Sequence, residues 1–214
     1  MLKGFVCALV LAAAPAIAQE PPHWELGVIG GFGYSPSLTV KNATTSASTG
    51  YANGGAIGIY AGEDYTYRYW GGEINYLYRM SNFKLSGNGK SVEFGGHKHI
   101  ITGDFLAHFR PTGARIRPYI SFGGGVEVIQ GTGAESATQP LGNLAALTHT
   151  NEVLPVGEAG VGVKVQLTRH VRLRVQVRDF ISSSPNEVIA PAPGASLSGI
   201  VNDIVGMGTL ALTW

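Results

Sequence analysis

The sequence predicts an all-β chain: a closed, eight-stranded antiparallel barrel that crosses a membrane as an up-and-down meander. Three observations predict it. Apolar residues alternate with small or polar ones over most of the chain, as in Trp24-Glu25-Leu26-Gly27-Val28, and a period of two is a strand. Apolar content is 44%, yet beyond residues 1–18 no apolar run is long enough for a membrane helix, so the hydrophobicity is spread over strands. The connections between alternating segments run long, short, long, short, long, short, long, which is the asymmetry of a barrel inserted from one side.

Residues 1–18 stand apart from the fold. Lys3 supplies a positive charge, Phe5–Ala14 is apolar, and Pro15-Ala16-Ile17-Ala18 ends in an A-x-A pattern before Gln19. This reads as a secretory signal peptide cut after Ala18, with an apolar run too short to span comfortably. Cys7, the single cysteine, would leave with it, so the exported chain forms no disulfide. Removing Lys3 leaves fourteen Lys and Arg against fourteen Asp and Glu, which gives no electrostatic reason to expect a nucleic-acid partner. Residues 19–214 are then expected to form one barrel domain.

The strands follow in order. His23–Tyr34 puts Trp24, Leu26, Val28, Phe32 and Tyr34 on one face, with Glu25, Gly27, Ile29, Gly31 and Gly33 on the other. The first face suits lipid with aromatic rings at its ends; the small second face suits a tight lumen. Ser35–Gly50 reads as a polar surface loop, and Asn42-Ala43-Thr44 within it matches a glycosylation sequon that is common by chance. The second strand is Gly54–Gly62, closed by a turn at Glu63–Thr66. The third, Tyr67–Met80, turns Trp70, Ile74, Tyr76 and Tyr78 to lipid, and Glu73, Asn75 and Arg79 inward or toward the mouth. Ser81–Gly96 reads as a second polar loop, with Val92–Phe94 able to extend a strand.

The fourth strand, His97–Phe109, sets His99, Ile101, Phe105 and Phe109 against Ile100, Thr102, Asp104 and His108. After the turn Arg110–Ala114, the fifth strand, Arg115–Ile129, sends Ile120, Phe122, Val126 and Val128 out, and Arg117, Tyr119, Ser121 and Glu127 in. Pro118 cannot donate a ladder hydrogen bond, so it belongs near the rim or at a bulge. Gln130–Asn151 is a long connection whose Leu141, Leu144 and Leu147 suggest a helical turn or a hairpin extension. The sixth strand, Glu152–Leu167, carries Glu158 and Lys164 inward, and the seventh, Val171–Ile181, alternates Val and Leu with Arg172, Arg174, Gln176 and Arg178. Ser182–Gly199 is a Ser/Pro-rich loop, and the eighth strand runs from about Val201 to Trp214. An apolar strand there would be an aggregation edge unless it pairs with the first strand and closes the sheet.

The alternation gathers the charges on the face away from lipid: Glu25, Glu73, Asp104, Glu127, Glu158, Lys164, Arg172, Arg174 and Arg178. An eight-stranded lumen is only wide enough to be filled by side chains. These residues are expected to interlock as a structural ion-pair network, in which the rigid fork of Arg serves two carboxylates.

The chain resembles the small outer-membrane barrel family, the OmpA-like or outer membrane protein beta-barrel domain group. The resemblance rests on the signal peptide, the Gly/aromatic strands, the segment Arg117-Pro118-Tyr119-Ile120-Ser121-Phe122-Gly123-Gly124-Gly125, and the last strand. Val205–Trp214 resembles the terminal signature of such barrels, an alternating strand ending in an aromatic, usually Phe and here Trp, with Leu210, Leu212 and Trp214 as the assembly signal. The resemblance implies a bacterial outer-membrane location, short periplasmic turns, long external loops and both termini periplasmic. Implied partners are outer-membrane lipids and lipopolysaccharide, the barrel-assembly machinery during insertion, and an external ligand on the loops; a monomer is expected, with no cofactor.

The function expected is that of a structural or surface-exposed barrel with a plugged interior. Lys41, Lys84, Lys90 and Lys98 lie in segments read as loops, where they would touch lipid phosphates or solvate the surface. A lipid-modifying enzyme is the alternative. It needs a base such as His99, which falls on the lipid side near the rim, with a nucleophile and a carboxylate beside it. His97 and His99 share a strand face, but two ligands rarely hold a metal. A narrow channel is the other alternative. A soluble ligand-carrying barrel would invert the pattern, with the apolar face inside.

Overall fold

The computed structural model describes residues 24–135, 139, 141–197 and 199–214. The expected signal peptide, with its cleavage after Ala18, and His23 lie outside the described residues. Those residues form fifteen strands: β1 (Trp24–Tyr34), β2 (Leu38–Lys41), β3 (Ser46–Tyr51), β4 (Gly54–Tyr67), β5 (Trp70–Met80), β6 (Phe83–Gly87), β7 (Lys90–Phe94), β8 (Gly96–His108), β9 (Ile116–Gly131), β10 (Ala145–Leu147), β11 (Asn151–Gln166), β12 (Val171–Ser183), β13 (Ile189–Pro191), β14 (Ser196–Leu197) and β15 (Ile200–Thr213).

Eight of them close a barrel in the order β1-β15-β12-β11-β9-β8-β5-β4, every neighbour antiparallel. The last strand meets the first as expected. The Trp24 amide donates to the Trp214 carbonyl at 3.1 Å, and the Trp214 amide donates back at 3.2 Å. Paired residues followed once round the sheet run Tyr34, Ile204, Asp179, Ala159, Phe122, Phe105, Gly72, Glu63, Trp24. The path returns to β1 ten positions lower, 34 against 24. That shear on eight strands tilts them by about 40° and leaves a lumen that side chains fill.

The barrel is apolar outside and charged inside. Val175 is 62% exposed, while its neighbour Arg174 is 0% exposed. That contrast repeats round the sheet and decides between the membrane barrel and its soluble inverse, because exposed Val, Ile and Leu in every strand belong in lipid. Trp24, Trp70, Phe109 and Trp214 are exposed at the short-turn end, and Phe32 and Tyr34 toward the long-loop end. Lumen glycines make room for the charges. A Cβ at Gly33 would collide with the Arg79 guanidinium, and one at Gly123 with the Asp104 carboxylate and the Gly103 carbonyl. Pro118 sits two residues into β9, near the rim as its missing donor requires.

Two boundaries differ from expectation. The turn placed at Glu63–Thr66 belongs to β4, which continues to Tyr67 across a register shift, so the chain reverses at Arg68-Tyr69. The connections at 35–50 and 81–96, expected as polar loops, form hairpins. Asn42 closes β2–β3, its Oδ1 accepting from the amides of Thr44 at 3.0 Å and Thr45 at 2.8 Å. The sequon asparagine is thus a turn residue. Asn88 and Gly89, at φ 51° and 71°, make the two-residue β6–β7 turn, which needs left-handed backbone at both positions.

These hairpins assemble into a crown. β14-β2-β3-β6-β7 form one sheet and β10-β13 another. Periodicity within each short segment could not reveal this, because the pairings β3–β6, β14–β2 and β10–β13 join different connections. The crown packs on an apolar core that includes Val40, Tyr51, Phe83, Leu85, Leu144, Leu147 and Ile189, and the upper ends of β9 and β15 join it through Ile129 and Val201. The third connection, read as a helical turn or a hairpin extension, makes a single turn in which the Leu144 and Ala145 amides donate to the Leu141 carbonyl at 2.8 and 3.1 Å, and then enters β10. The fourth connection is gripped by Glu152, whose carboxylate accepts from the amides of Asn186 at 3.2 Å, Glu187 at 2.9 Å and Val188 at 3.4 Å.

Candidate functional site

The lumen is the densest concentration of chemistry in the molecule. The structure places all nine expected charges there, each buried: Glu25, Glu73, Asp104, Glu127, Glu158, Lys164, Arg172, Arg174 and Arg178. It adds five that were not among them: Asp64, Arg79, Lys98, Arg117 and Asp203. Seven carboxylates thus face seven cations in the ion pairs of the interior. Equal numbers matter, because an uncompensated buried charge is costly.

The lowest tier lies toward the short turns. Asp64 meets Arg117 at 2.8 Å, Lys164 at 2.7 Å and Arg172 at 2.5 Å. Glu25 meets Lys164 at 2.6 Å, Arg172 at 2.8 Å and Arg174 at 2.7 Å. Arg174 links this tier to the next through Glu73 at 2.7 Å, and its guanidinium lies 4.1 Å from the Tyr60 ring centre. In the middle tier Arg178 pairs with Glu73, with Asp104 at 2.6 Å and with Glu158 at 3.5 Å. Hydroxyls and an amide add further bonds to these carboxylates. Asn75 donates to Asp104 at 2.7 Å, Thr102 to Asp104 at 3.0 Å and Ser121 to Glu158 at 2.8 Å.

The uppermost tier lies beneath the crown. Lys98 reaches Asp203 at 2.7 Å and Glu127 at 3.6 Å, and Arg79 reaches Asp203 at 3.3 Å. Ser35 donates to the same carboxylate at 2.7 Å. The Lys98 ammonium also lies 4.2 Å from the ring centre of Tyr51, a crown residue. Burial, followed by the carboxylates of Glu127, Asp203 and Glu152, holds the Tyr51 phenol well above its ordinary range, so it stays neutral beside them.

An apolar layer separates the upper tier from the middle one. Leu77 lies between Asn75 and Arg79, Ile100 between Lys98 and Thr102, Phe180 between Arg178 and Ser182, and Val205 between Asp203 and Met207 on the inward faces of their strands. All four are buried in one cluster with Val156. That these residues of separate strands meet as a septum follows only from the shear.

Arg79 and Arg117 lie on faces that the alternation already turns inward or toward the mouth, and both are buried. Asp64 lies in a segment that reads as a turn. Lys98 reads as a loop lysine, and the structure corrects this: it is fully buried, because Gly96–His108 is strand throughout and position 98 faces inward. Asp203 fell where the last strand's start was vague; the alternation of Val201, Asp203 and Val205 carried the signal.

The rim histidines are differently placed. His99 Nδ1 lies 2.8 Å from the Tyr76 hydroxyl, and the rings of Tyr78 and His97 flank it at 5.3 Å each. His97 Nε2 is 2.6 Å from Gln130 Oε1. These are the contacts of an interfacial girdle. Among the described residues no group of three or more His, Cys, Asp or Glu is placed to hold a metal. Leu210, Leu212 and Trp214 all face outward and are exposed.

Comparison with known proteins gives the same architecture. Residues 4–193 match the family described as the outer membrane protein beta-barrel domain. Among solved structures, Neisserial surface protein A superposes with a TM-score of 0.53 at 11% identity, over 89% of this chain and 97% of that one. The outer membrane protein OprG of Pseudomonas aeruginosa superposes with a TM-score of 0.55 at 13% identity, over 90% of this chain and 97% of that one. At such identities the likeness is one of fold. No curated protein matches the sequence.

Proposed function

The chain belongs to the outer membrane protein beta-barrel domain family, and on that premise we propose that it is a non-conducting scaffold of the bacterial outer membrane that holds a folded crown outside the cell. One observation carries the reading: the lumen is closed by seven cations paired with seven carboxylates and by an apolar septum, while the four long connections share one apolar core above it. The interior therefore has a structural role, and the surface available to an external ligand is the crown. Family membership supports placing the long connections outside and the termini in the periplasm. The outward Leu210, Leu212 and Trp214 then serve as the strand read by the assembly machinery.

Two measurements test this. In planar bilayers the refolded protein is expected to give no reproducible open-channel current; steady conductance would overturn the plug and make Arg174 and Arg178 the residues to change. The single native cysteine, Cys7, lies in the expected signal peptide, so the exported chain offers a clean background for labelling. Lys90→Cys is expected to react with a membrane-impermeant maleimide on intact cells, and Thr168→Cys only after the outer membrane is opened. The reverse pattern would invert the orientation.

A further inference from the structure

The arginines divide into two sets. Arg79, Arg117, Arg172, Arg174 and Arg178 are buried in the lumen. Arg68, Arg110, Arg115 and Arg169 are exposed, and all four lie on the short turns, with at least one on each of the three. The turn segments 109–115 and 167–170 contain no Asp or Glu. Glu63, at the foot of β4, is half-buried and already engaged. The crown is different: its exposed Lys41, Lys84 and Lys90 are balanced by exposed Glu93, Glu135 and Glu187.

The exposed arginines are also held in place by their backbones. The Arg68 carbonyl accepts from the Thr112 amide at 3.0 Å, and the Arg110 carbonyl from Arg117 Nε at 3.4 Å. The Arg115 carbonyl accepts from the Gln166 amide at 2.8 Å, and the Arg169 carbonyl from the Thr213 hydroxyl at 3.0 Å. Each turn is thereby stitched to a neighbour, and each arginine stands one or two residues from an outward apolar side chain: Trp70, Phe109, Ile116 or Leu167.

We propose that this collar binds the headgroups of anionic glycerophospholipids in the leaflet at the short-turn end. The inference rests on the membrane reading given above. An arginine just beyond an aromatic girdle lays its stem along the acyl–glycerol boundary and its fork against the phosphodiester. A lipid with net negative charge offers that phosphate unmasked, whereas a choline headgroup covers it with its own cation. A cation near an anionic surface favours association by about fivefold each.

The protein carries its own reporter. Its three tryptophans are Trp24, Trp70 and Trp214, all at this end. The full chain would be reconstituted in phosphatidylcholine vesicles containing a small fraction of either brominated phosphatidylglycerol or brominated phosphatidylcholine, and tryptophan quenching compared. Stronger quenching by the brominated phosphatidylglycerol is expected, corresponding to roughly fivefold enrichment. The excess should vanish in the R68Q/R110Q/R115Q/R169Q variant and shrink at molar salt. The variant keeps every backbone bond just described and its side chains are exposed, so it should retain the folded, heat-modifiable form. Equal quenching by the two lipids, or an excess that survives in the variant, would overturn the collar alone. No quenching by either lipid would overturn the membrane reading, and the collar with it.

Discussion

Arg178→Met is expected to destabilise the barrel by about 3–5 kcal/mol, the usual cost of removing one partner from a buried ion network. Arg178 is the shared cation of three carboxylates, Glu73, Asp104 and Glu158. Glu73 keeps Arg174 at 2.7 Å, but Asp104 and Glu158 lose their cation. Met fills much of the same volume, so the loss reports charge rather than cavity. The measurement is the urea midpoint of unfolding from detergent micelles, with Lys90→Met on the exposed crown as the control. R178M combined with Asp104→Asn should recover part of the loss, because the second change removes one stranded charge. A single variant as stable as the wild type would show that water reaches the middle tier, and the plug would have to be abandoned.

Phe83→Ala is expected to open the crown and leave the barrel closed. Phe83 is fully buried in the crown core and packs at a tilt against Tyr51, with 5.4 Å between ring centres. Emptying such a site costs about 3–5 kcal/mol. The crown's strands are two to six residues long, so few other contacts can absorb that loss. The barrel is held by long ladders and the ion tiers, which Phe83 does not join. Brief trypsin treatment should therefore cut the variant at Lys41, Lys84 and Lys90 while heat-modifiable migration of the barrel persists. Wild-type protein should resist at these sites. Loss of crown and barrel together would make them one cooperative unit; loss of neither would mean that the crown core contributes little.

Residues in contact with both solvent classes were the most legible. Alternation along β12 named Arg172, Arg174 and Arg178 at once, because each is flanked by a lipid-facing Val or Leu that fixes its face. The charges that escaped notice sit at strand ends. Asp64 and Asp203 lie where periodicity fades, and Lys98 follows a segment read as loop. The crown was hidden for another reason: β3 pairs with β6 and β14 with β2, across separate connections, so no local window contains the contact that orders it. The Asn88-Gly89 pair between F-K-L-S-G and K-S-V-E-F was a readable hairpin signal, but its neighbours alternate too briefly to declare a sheet.

The sequence by itself determined the fold class, the number of barrel strands, the closure of the last strand on the first, and which charged side chains turn away from lipid. All of these follow from a two-residue period that lipid on one side and a narrow lumen on the other impose along each strand. The tertiary structure decided who pairs with whom. The shear of the sheet, visible only when eight registers are followed round, brings Glu25 of β1 to Lys164 of β11 and Asp203 of β15 to Lys98 of β8. It also sets Leu77, Ile100, Phe180 and Val205 side by side as one septum. Those contacts depend on tilt and stagger between strands, and one-dimensional periodicity carries no information about either.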